Sequence, residues 1–402
     1  MPPAKSERMM SSTFVSTSMG GEAYAHWVRR AIGRARAAGG RIVPLFDSSV
    51  EEPVDLLRQV VRDGFDDPIT PKYQSVFVNG NPDVVNSLAS RYEVAPERIL
   101  TTTGATSALS IIYRAYLKPG DHILVETPGF DLFGDIGRAL GAKVDPFNRR
   151  GDDFAIDEFE LASQIRPNTK LIVLSDLHNP SGMLLEPEVL ARLARLAGQH
   201  GARLVVDEVY GDYAGPNRVR TAAHISPNII AVSSLTKMYG LSTLRCGWII
   251  AAEENLWPIR EWSDHFEFGV SKLSHAVAAL VLEDSDRFAG YAKAVLDKAR
   301  PILDAHVGQL RADGLVAGEL PDFGCIFFPR LIGIANTIEF SEWLADRYGI
   351  IVAPGEFFGA PGHVRIGFAH APEVLEFGLS RLREGLQAYS RSRQVSGAAA
   401  HA

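Results

Sequence analysis

Only two of the 402 residues are cysteine, Cys246 and Cys325. One bridge would add little to a chain of this length, so both thiols read as reduced and the protein as cytoplasmic. No uncharged apolar run reaches the ~18 residues of a membrane span, and none is expected. The opening MPPAKSERMMSSTFVSTSMGG lacks the roughly 7–15-residue apolar core of a secretory signal peptide. Dense Lys/Arg runs are missing too. With a formal net charge of −7, nothing suggests the basic face of a nucleic-acid binder. No internal repeat is visible, which excludes solenoids and propellers.

What is present is a core. Hydrophobic residues make up 46% and charged residues 22%, a globular balance at a length that suggests two domains. Compact apolar runs alternate with helical spacing. RILTTTG (98–104) reads as a strand and turn, and ATSALSIIYRAYL (105–117) as the helix after it. HILVETP (122–128) is a strand and DLFGDIGRAL (131–140) a helix. LIVLSD (171–176), RLVVDEV (203–209) and IIAVSS (229–234) are further strands, with a helix over 186–201 ended by Gly201. Strands that are continuously apolar and alternate with helices predict a mostly parallel sheet sandwiched by helices. From about residue 286 a long helical stretch leads into CIFFPRL, a helix (338–348), IIVAPG, HVRIGFA and a last helix (372–389), which predicts a smaller α/β domain. The expected division is 1–45 as an N-terminal extension packing on the small domain or a partner, 46–285 as the large domain, 286–390 as the small one, and 391–402 as a fraying tail.

In such sheets ligands sit beyond the carboxyl ends of the strands, and five stretches with chemical potential fall there. SSLTKMYGLSTLRCGWII (233–250) places Lys237 after a strand, flanked by Ser234 and Thr236, with Arg245 eight residues on. A lysine amine attacks carbonyls when desolvated or held near another cation. VVDEVYGDY (205–213) ends a strand on Asp207, a carboxylate suited to a protonated ring nitrogen, with Tyr210 in reach of a ring oxygen. Asn179, in LSDLHNPSG, can donate to the same oxygen. TTTGATSALS turns at Gly104 and opens a helix with Ala105 and Thr106, where free N–H groups and the helix dipole favour an anion. Phe130, in VETPGFDLF, can stack on a planar ring. Each has a plainer reading in isolation: a surface lysine, a helix-capping Asp, an Asn-Pro turn, a capped helix start, a core phenylalanine. Together they describe a receptor for a phosphorylated aromatic aldehyde, and pyridoxal phosphate fits.

Over roughly residues 45–390 the sequence resembles the fold-type I, class I/II pyridoxal-phosphate-dependent aminotransferases. The likeness rests on the spacing of Ser234, Thr236, Lys237, Gly240, Arg245 and Gly247. The resemblance implies a Schiff base on Lys237, which would also carry the proton. It implies Asp207 at the pyridine nitrogen, Tyr210 and Asn179 at the ring oxygen, and Phe130 against the ring. Gly104, Ala105, Thr106, Ser234, Thr236 and Arg245 would form the phosphate cup. It further implies that Arg365 grips the substrate carboxylate and that Tyr73 reaches the cofactor phosphate of a neighbouring subunit, making a homodimer with shared sites. No metal is implied.

FDSSVEEP (46–53) departs from the family where many relatives carry a glycine-containing substrate loop, and Ser49 becomes a candidate substrate contact. No second arginine offers itself for a dicarboxylic side chain. Trp262, Phe266 and Phe268 read equally as pocket wall and as core. The expected reaction moves an amino group between an L-amino acid and a 2-oxo acid. The same site also suits a β/γ-lyase, a decarboxylase or a cyclase. A non-catalytic effector module of a transcription regulator is a remote third reading, because the stretch before residue 45 is too short for a helix-turn-helix domain.

Overall fold

The strand β1 (Ile99–Thr102), β2 (His122–Thr127), β3 (Lys143–Arg150) and β4 (Ala155–Ile156) join β5 (Thr169–Ser175), β6 (Arg203–Asp207), β7 (Ile229–Ser234) and β8 (Gly247–Ile250) in one sheet, ordered β1-β8-β7-β6-β5-β2-β3-β4. Its source is a computed structural model that describes residues 23–37, 41–66, 69–77, 79–267 and 269–400. Residues 1–20 and Phe268, both read above, lie outside the described residues. β2, β3, β5, β6 and β7 run parallel, β8 runs antiparallel to both of its neighbours, and β4 antiparallel to β3. The fold is thus α/β with a mostly parallel central sheet.

The middle strands are buried on both faces, as their unbroken apolar runs require. Along β6, Val205 joins the core with α4 (Ala105–Tyr116), α5 (Asp131–Ala139) and α8 (Glu253–Phe266). Its neighbours Leu204 and Val206 face the other way, onto α6 (Glu158–Gln164) and α7 (Pro187–Gln199). The strand's period of two sets this division. Gly201 takes φ +72 just past α7, the left-handed turn its position predicts. Among the described residues α1 (Tyr24–Ala37), α2 (Val54–Gly64), α3 (Pro82–Tyr92) and α9 (Lys272–Glu283) complete the α-helices before residue 285.

The 28-residue α10 (Ser285–Ala312) buries Phe288 and Ala292 with the large sheet's elements, then Leu303, Val307 and Leu310 in a separate core. That second core gathers β9 (Val316–Ala317), β10 (Ile326–Phe327), β11 (Arg330–Leu331), α11 (Thr337–Tyr348), β13 (Val364–Gly367) and α12 (Pro372–Ala400), while β12 (Ala353–Pro354) puts Ala353 into a separate cluster with Trp27 and Phe357. β13 lies between β10 and β12, antiparallel to each. Residues 43–50 cross from one core to the other. Val43 bridges to Ile350, Gly367 N–H donates to the Leu45 carbonyl at 2.6 Å, and Val50 N–H donates to the Lys237 carbonyl at 3.3 Å.

Two readings need correction. The last helix does not end at 389: α12 continues through Ala400. Leu375, Leu379, Leu382, Leu386 and Tyr389 anchor it at helical spacing, and the residues beyond contain no proline and end in an alanine run, which favours helix. The strands β3 and β8 went unread. β3, KVDPFNRR, is half polar and carries Pro146, and β8 is only four residues long.

Candidate active site

The loops after β1, β2, β5, β6 and β7 all open on one side of the sheet. β7 ends at Ser234, and three residues later Lys237 turns its amine inward. Its Nζ donates to Ser48 Oγ at 3.0 Å and sits 5.2 Å from the centroid of the Tyr210 ring. The loop is pinned through the Lys237 carbonyl, which accepts from Tyr213 Oη at 2.8 Å. Asp207 closes β6 and is 5% exposed. Burial pushes its carboxyl up to about 7 against the opposing pull of Lys237, and Val209 N–H donates to Oδ1 at 3.1 Å. The Tyr210 hydroxyl is buried without a hydrogen-bond partner among the described residues.

After β1 the chain turns at Gly104, with φ +82, and α4 begins with no side-chain cap, so its first N–H groups are open to a ligand. Arg245 reaches over this turn, and Nη2 donates to the Thr103 carbonyl at 3.1 Å. A Cβ on Gly104 would stand 2.6 Å from that nitrogen, so no larger residue leaves the guanidinium where it is. Phe130 precedes α5 and meets Phe133 edge-on, centroids 5.7 Å apart.

Arg365 comes from β13. Nη1 donates to Asn179 Oδ1 at 2.8 Å, and Nη2 donates to Tyr24 Oη and to the Phe46 carbonyl, each at 3.2 Å. Its Nε has no partner, and among the described residues no carboxylate pairs with it, although it is only 4% exposed. A buried cation left this way invites an anionic ligand.

Ala105, Thr106, Phe130, Asn179, Asp207, Tyr210, Ser234, Thr236, Lys237, Arg245 and Arg365 line one cavity of about 380 Å³, with Gly104 at its edge. Two candidates stand elsewhere. Ser48, not Ser49, lines the cavity and meets Lys237. Tyr73 is 37% exposed and outside the lining, with Lys272 Nζ 4.1 Å from its ring centroid. Trp262 stacks on the exposed Phe266, and neither lines the cavity. Tyr24, Asp131 and Asp135 do line it and went unread. Tyr24 lies 341 positions from Arg365, and no local pattern signals it; burial pushes its hydroxyl up to about 12.

Behind the cavity a second polar group meets Glu126 from within the chain, although Arg149 Nη2 is buried without a partner among the described residues. Arg149 Nη1 donates to Glu126 Oε2 at 2.9 Å, and Glu126 Oε1 accepts from Ser175 N–H at 2.8 Å and Ser175 Oγ at 2.5 Å. Ser175 Oγ in turn accepts from Asn179 N–H at 2.9 Å. A larger cavity, about 570 Å³, lies against α10, but its lining ions Lys293 and Asp297 pair with each other at 2.6 Å, and Arg300 pairs with Asp304 at 2.8 Å. Among the described residues no group of three or more His, Cys, Asp or Glu could hold a metal, and no helix is long and apolar enough to cross a membrane. Cys246 and Cys325 are buried and free.

Residues 73–382 match the family model for aminotransferase class I and II. Capreomycidine synthase from Streptomyces vinaceus is 28% identical over 313 residues, 77% of this chain and 79% of that one. A PLP-dependent aminotransferase from Streptococcus suis superposes with a TM-score of 0.80 at 26% identity, covering 91% of this chain and 97% of that one. The PLP-dependent cyclase OrfR superposes with a TM-score of 0.77 at 27% identity, again over 91% and 97%. The chain belongs to the class I and II aminotransferase family, and its fold is that of the fold-type I enzymes. Its cofactor is pyridoxal 5′-phosphate. The lining fits that group: an amine for the aldehyde, an acid for the ring nitrogen, a buried phenol lacking a partner, and an open helix start crossed by Arg245 for the phosphate.

Proposed function

We propose that the protein is an aminotransferase that moves an amino group between an L-amino acid and a 2-oxo acid. The observation that carries this is the convergence of Lys237, Asp207 and Arg365 on one cavity. Bound pyridoxal 5′-phosphate supplies a ring that accepts electrons when a bond at the substrate Cα breaks. Lys237 Nζ would meet the cofactor's aldehyde carbon and would carry the proton at the substrate Cα; Ser48 Oγ accepts from that amine at 3.0 Å and holds it in place. The Asp207 carboxylate keeps a proton on the ring nitrogen. Tyr210 Oη and the Asn179 amide donate to the ring oxygen, and Phe130 covers a ring face. The N–H groups of Ala105 and Thr106, the hydroxyls of Ser234 and Thr236, and Arg245 hold the phosphate. Arg365 takes the α-carboxylate.

Four further assignments belong to the same reading. Residues 46–285 and 286–390 act as large and small domains. The protein works in the cytoplasm, consistent with two buried free thiols. It is a homodimer in which the exposed Tyr73 reaches a partner's phosphate. It acts in amino-acid metabolism, on a biosynthetic step.

The test is an absorbance titration of the purified protein. A visible cofactor band should bleach with an amino acid and return with a 2-oxo acid, and Lys237→Ala should abolish both the band and turnover. Cyclisation or elimination is the second reading, favoured by the likeness to capreomycidine synthase and to the cyclase OrfR. Turnover without any 2-oxo acid would select it.

A further inference from the structure

On the proposed function, on which this inference rests, most hydroxyls of the cavity have a task. Thr106, Ser234 and Thr236 stand at the phosphate end, Tyr210 answers the ring oxygen, and Ser48 Oγ accepts from Lys237. Tyr24, from α1, lines the same cavity and has none. Its place beside Arg365 suggests one. A guanidinium has five N–H donors. Arg365 uses three within the chain, on Asn179 Oδ1 at 2.8 Å and on Tyr24 Oη and the Phe46 carbonyl at 3.2 Å each, while its buried Nε has no partner. A carboxylate held by two N–H bonds keeps a free lone pair on each oxygen, so it has room for a further donor.

Tyr24 Oη meets that guanidinium as an acceptor, so its own proton is directed elsewhere. Burial pushes the hydroxyl up to about 12, which keeps the proton on at neutral pH. Asp47 and Asp131 act on the hydroxyl through their charge, but among the described residues it donates to neither, nor to any other group. A carboxylate on Arg365 would be the acceptor it lacks. The ring is firmly seated. It packs on Phe357 and Phe358 with centroids 5.5 and 6.0 Å apart, and the Phe358 ring also lies 4.8 Å from Arg365 Cζ. Three residues on, Trp27 is fully buried against Phe357, and Arg30 pairs with Glu342 of α11 at 2.6 Å. A surface pair of that kind contributes little, so the burial of Trp27 is what anchors α1. Opposite ends of the chain thus bring two donors to one spot.

We propose that Tyr24 is a second receptor for the substrate α-carboxylate, donating its hydroxyl proton to the group that Arg365 holds. α1 is then a working wall of the substrate site. Because both receptors read only the carboxylate, they serve any side chain the cavity admits.

The test titrates the holoenzyme, through its visible absorbance, with 2-aminoisobutyrate and with tert-butylamine, which has a methyl group in place of the carboxylate. Neither has an α-proton, so each binds without turnover. Tyr24→Phe keeps the ring and its packing. It should weaken 2-aminoisobutyrate about 10- to 100-fold, the size of a hydrogen bond to a charged group, and leave tert-butylamine unchanged. The cofactor band and the melting temperature should stay as in the wild type. A residue that only positions Arg365 would lose its effect once that arginine is changed, so in an Arg365→Lys background Tyr24→Phe should still weaken 2-aminoisobutyrate and spare the amine. An unchanged affinity in Tyr24→Phe, an equal loss for both probes, a lost cofactor band in that variant, or an effect that vanishes in Arg365→Lys would overturn the proposal while leaving the function standing. A wild-type protein that never develops the cofactor band would overturn both.

Discussion

Asp207 and Glu126 end or nearly end neighbouring parts of one sheet, and burial lifts both carboxyls up to about 7. They differ in who answers them. Glu126 is met from within the chain by Arg149 and by both donors of Ser175. Asp207 receives a single backbone N–H, from Val209, and faces the cavity. A closed set of hydrogen bonds marks an acid that holds structure, and an open one marks an acid kept for a ligand. The same contrast separates the closed ion pairs of the larger cavity from the open Arg365 and Tyr210 of the smaller one.

Substitution should split the two acids. Asp207→Asn should lower turnover about 10²- to 10⁴-fold with the fold intact, in steady-state assays of the holoenzyme. Glu126→Gln breaks a buried ion pair and should cost about 3–5 kcal/mol in urea unfolding, while the cofactor band survives in the folded fraction. If Glu126→Gln abolished the band and left stability alone, the contrast would fail.

pH tests Asp207 on its own, since burial raises Glu126 as far. The Asp207 carboxyl is raised in the fold, so the native protein binds a proton that the unfolded chain releases. That contribution to stability is present below pH 4 and is lost as pH rises through 7. In cofactor-free protein Asp207→Asn should therefore gain on the wild type between pH 5 and pH 8, by about 3 kcal/mol. A urea midpoint difference that does not change with pH would contradict this. The smallest effect is expected for Tyr210→Phe. Its hydroxyl has no partner to lose, so stability should shift by less than about 1 kcal/mol while turnover falls about tenfold.

Much of this was legible in the residues. Asp207, Ser234 and Lys237 stand at or just past the ends of short apolar runs, and a strand's end fixes where such residues emerge. Gly104 and Arg245 lie in turns whose glycines announce them. What escaped came from irregular segments. Ser48 and Ser49 are adjacent and chemically identical, and only the path of residues 43–50 across the two cores decides which one meets Lys237. Tyr24 belongs to a basic helix with no acid in its first turn and no feature that points to Arg365. Asp131 was visible as a helix-opening acid, but its place on the cavity wall depends on how α5 rolls against β2 and β3. Tyr73 stands outside the cavity lining, and its role belongs to the proposed homodimer.

The segment 43–50 also has a bearing on how the protein is made. A ribosome releases Ser48 long before Lys237, and Phe46 longer still before Arg365, separations of 189 and 319 positions. Contacts so distant in sequence form late, after the intervening chain has collapsed. The large sheet is complete by Ile250, yet the cavity stays unfinished until β13 has emerged and drawn the early segment over it. The groups proposed to hold the cofactor are all translated by Arg245, so the carboxylate receptor Arg365 is the last part of the site to be made.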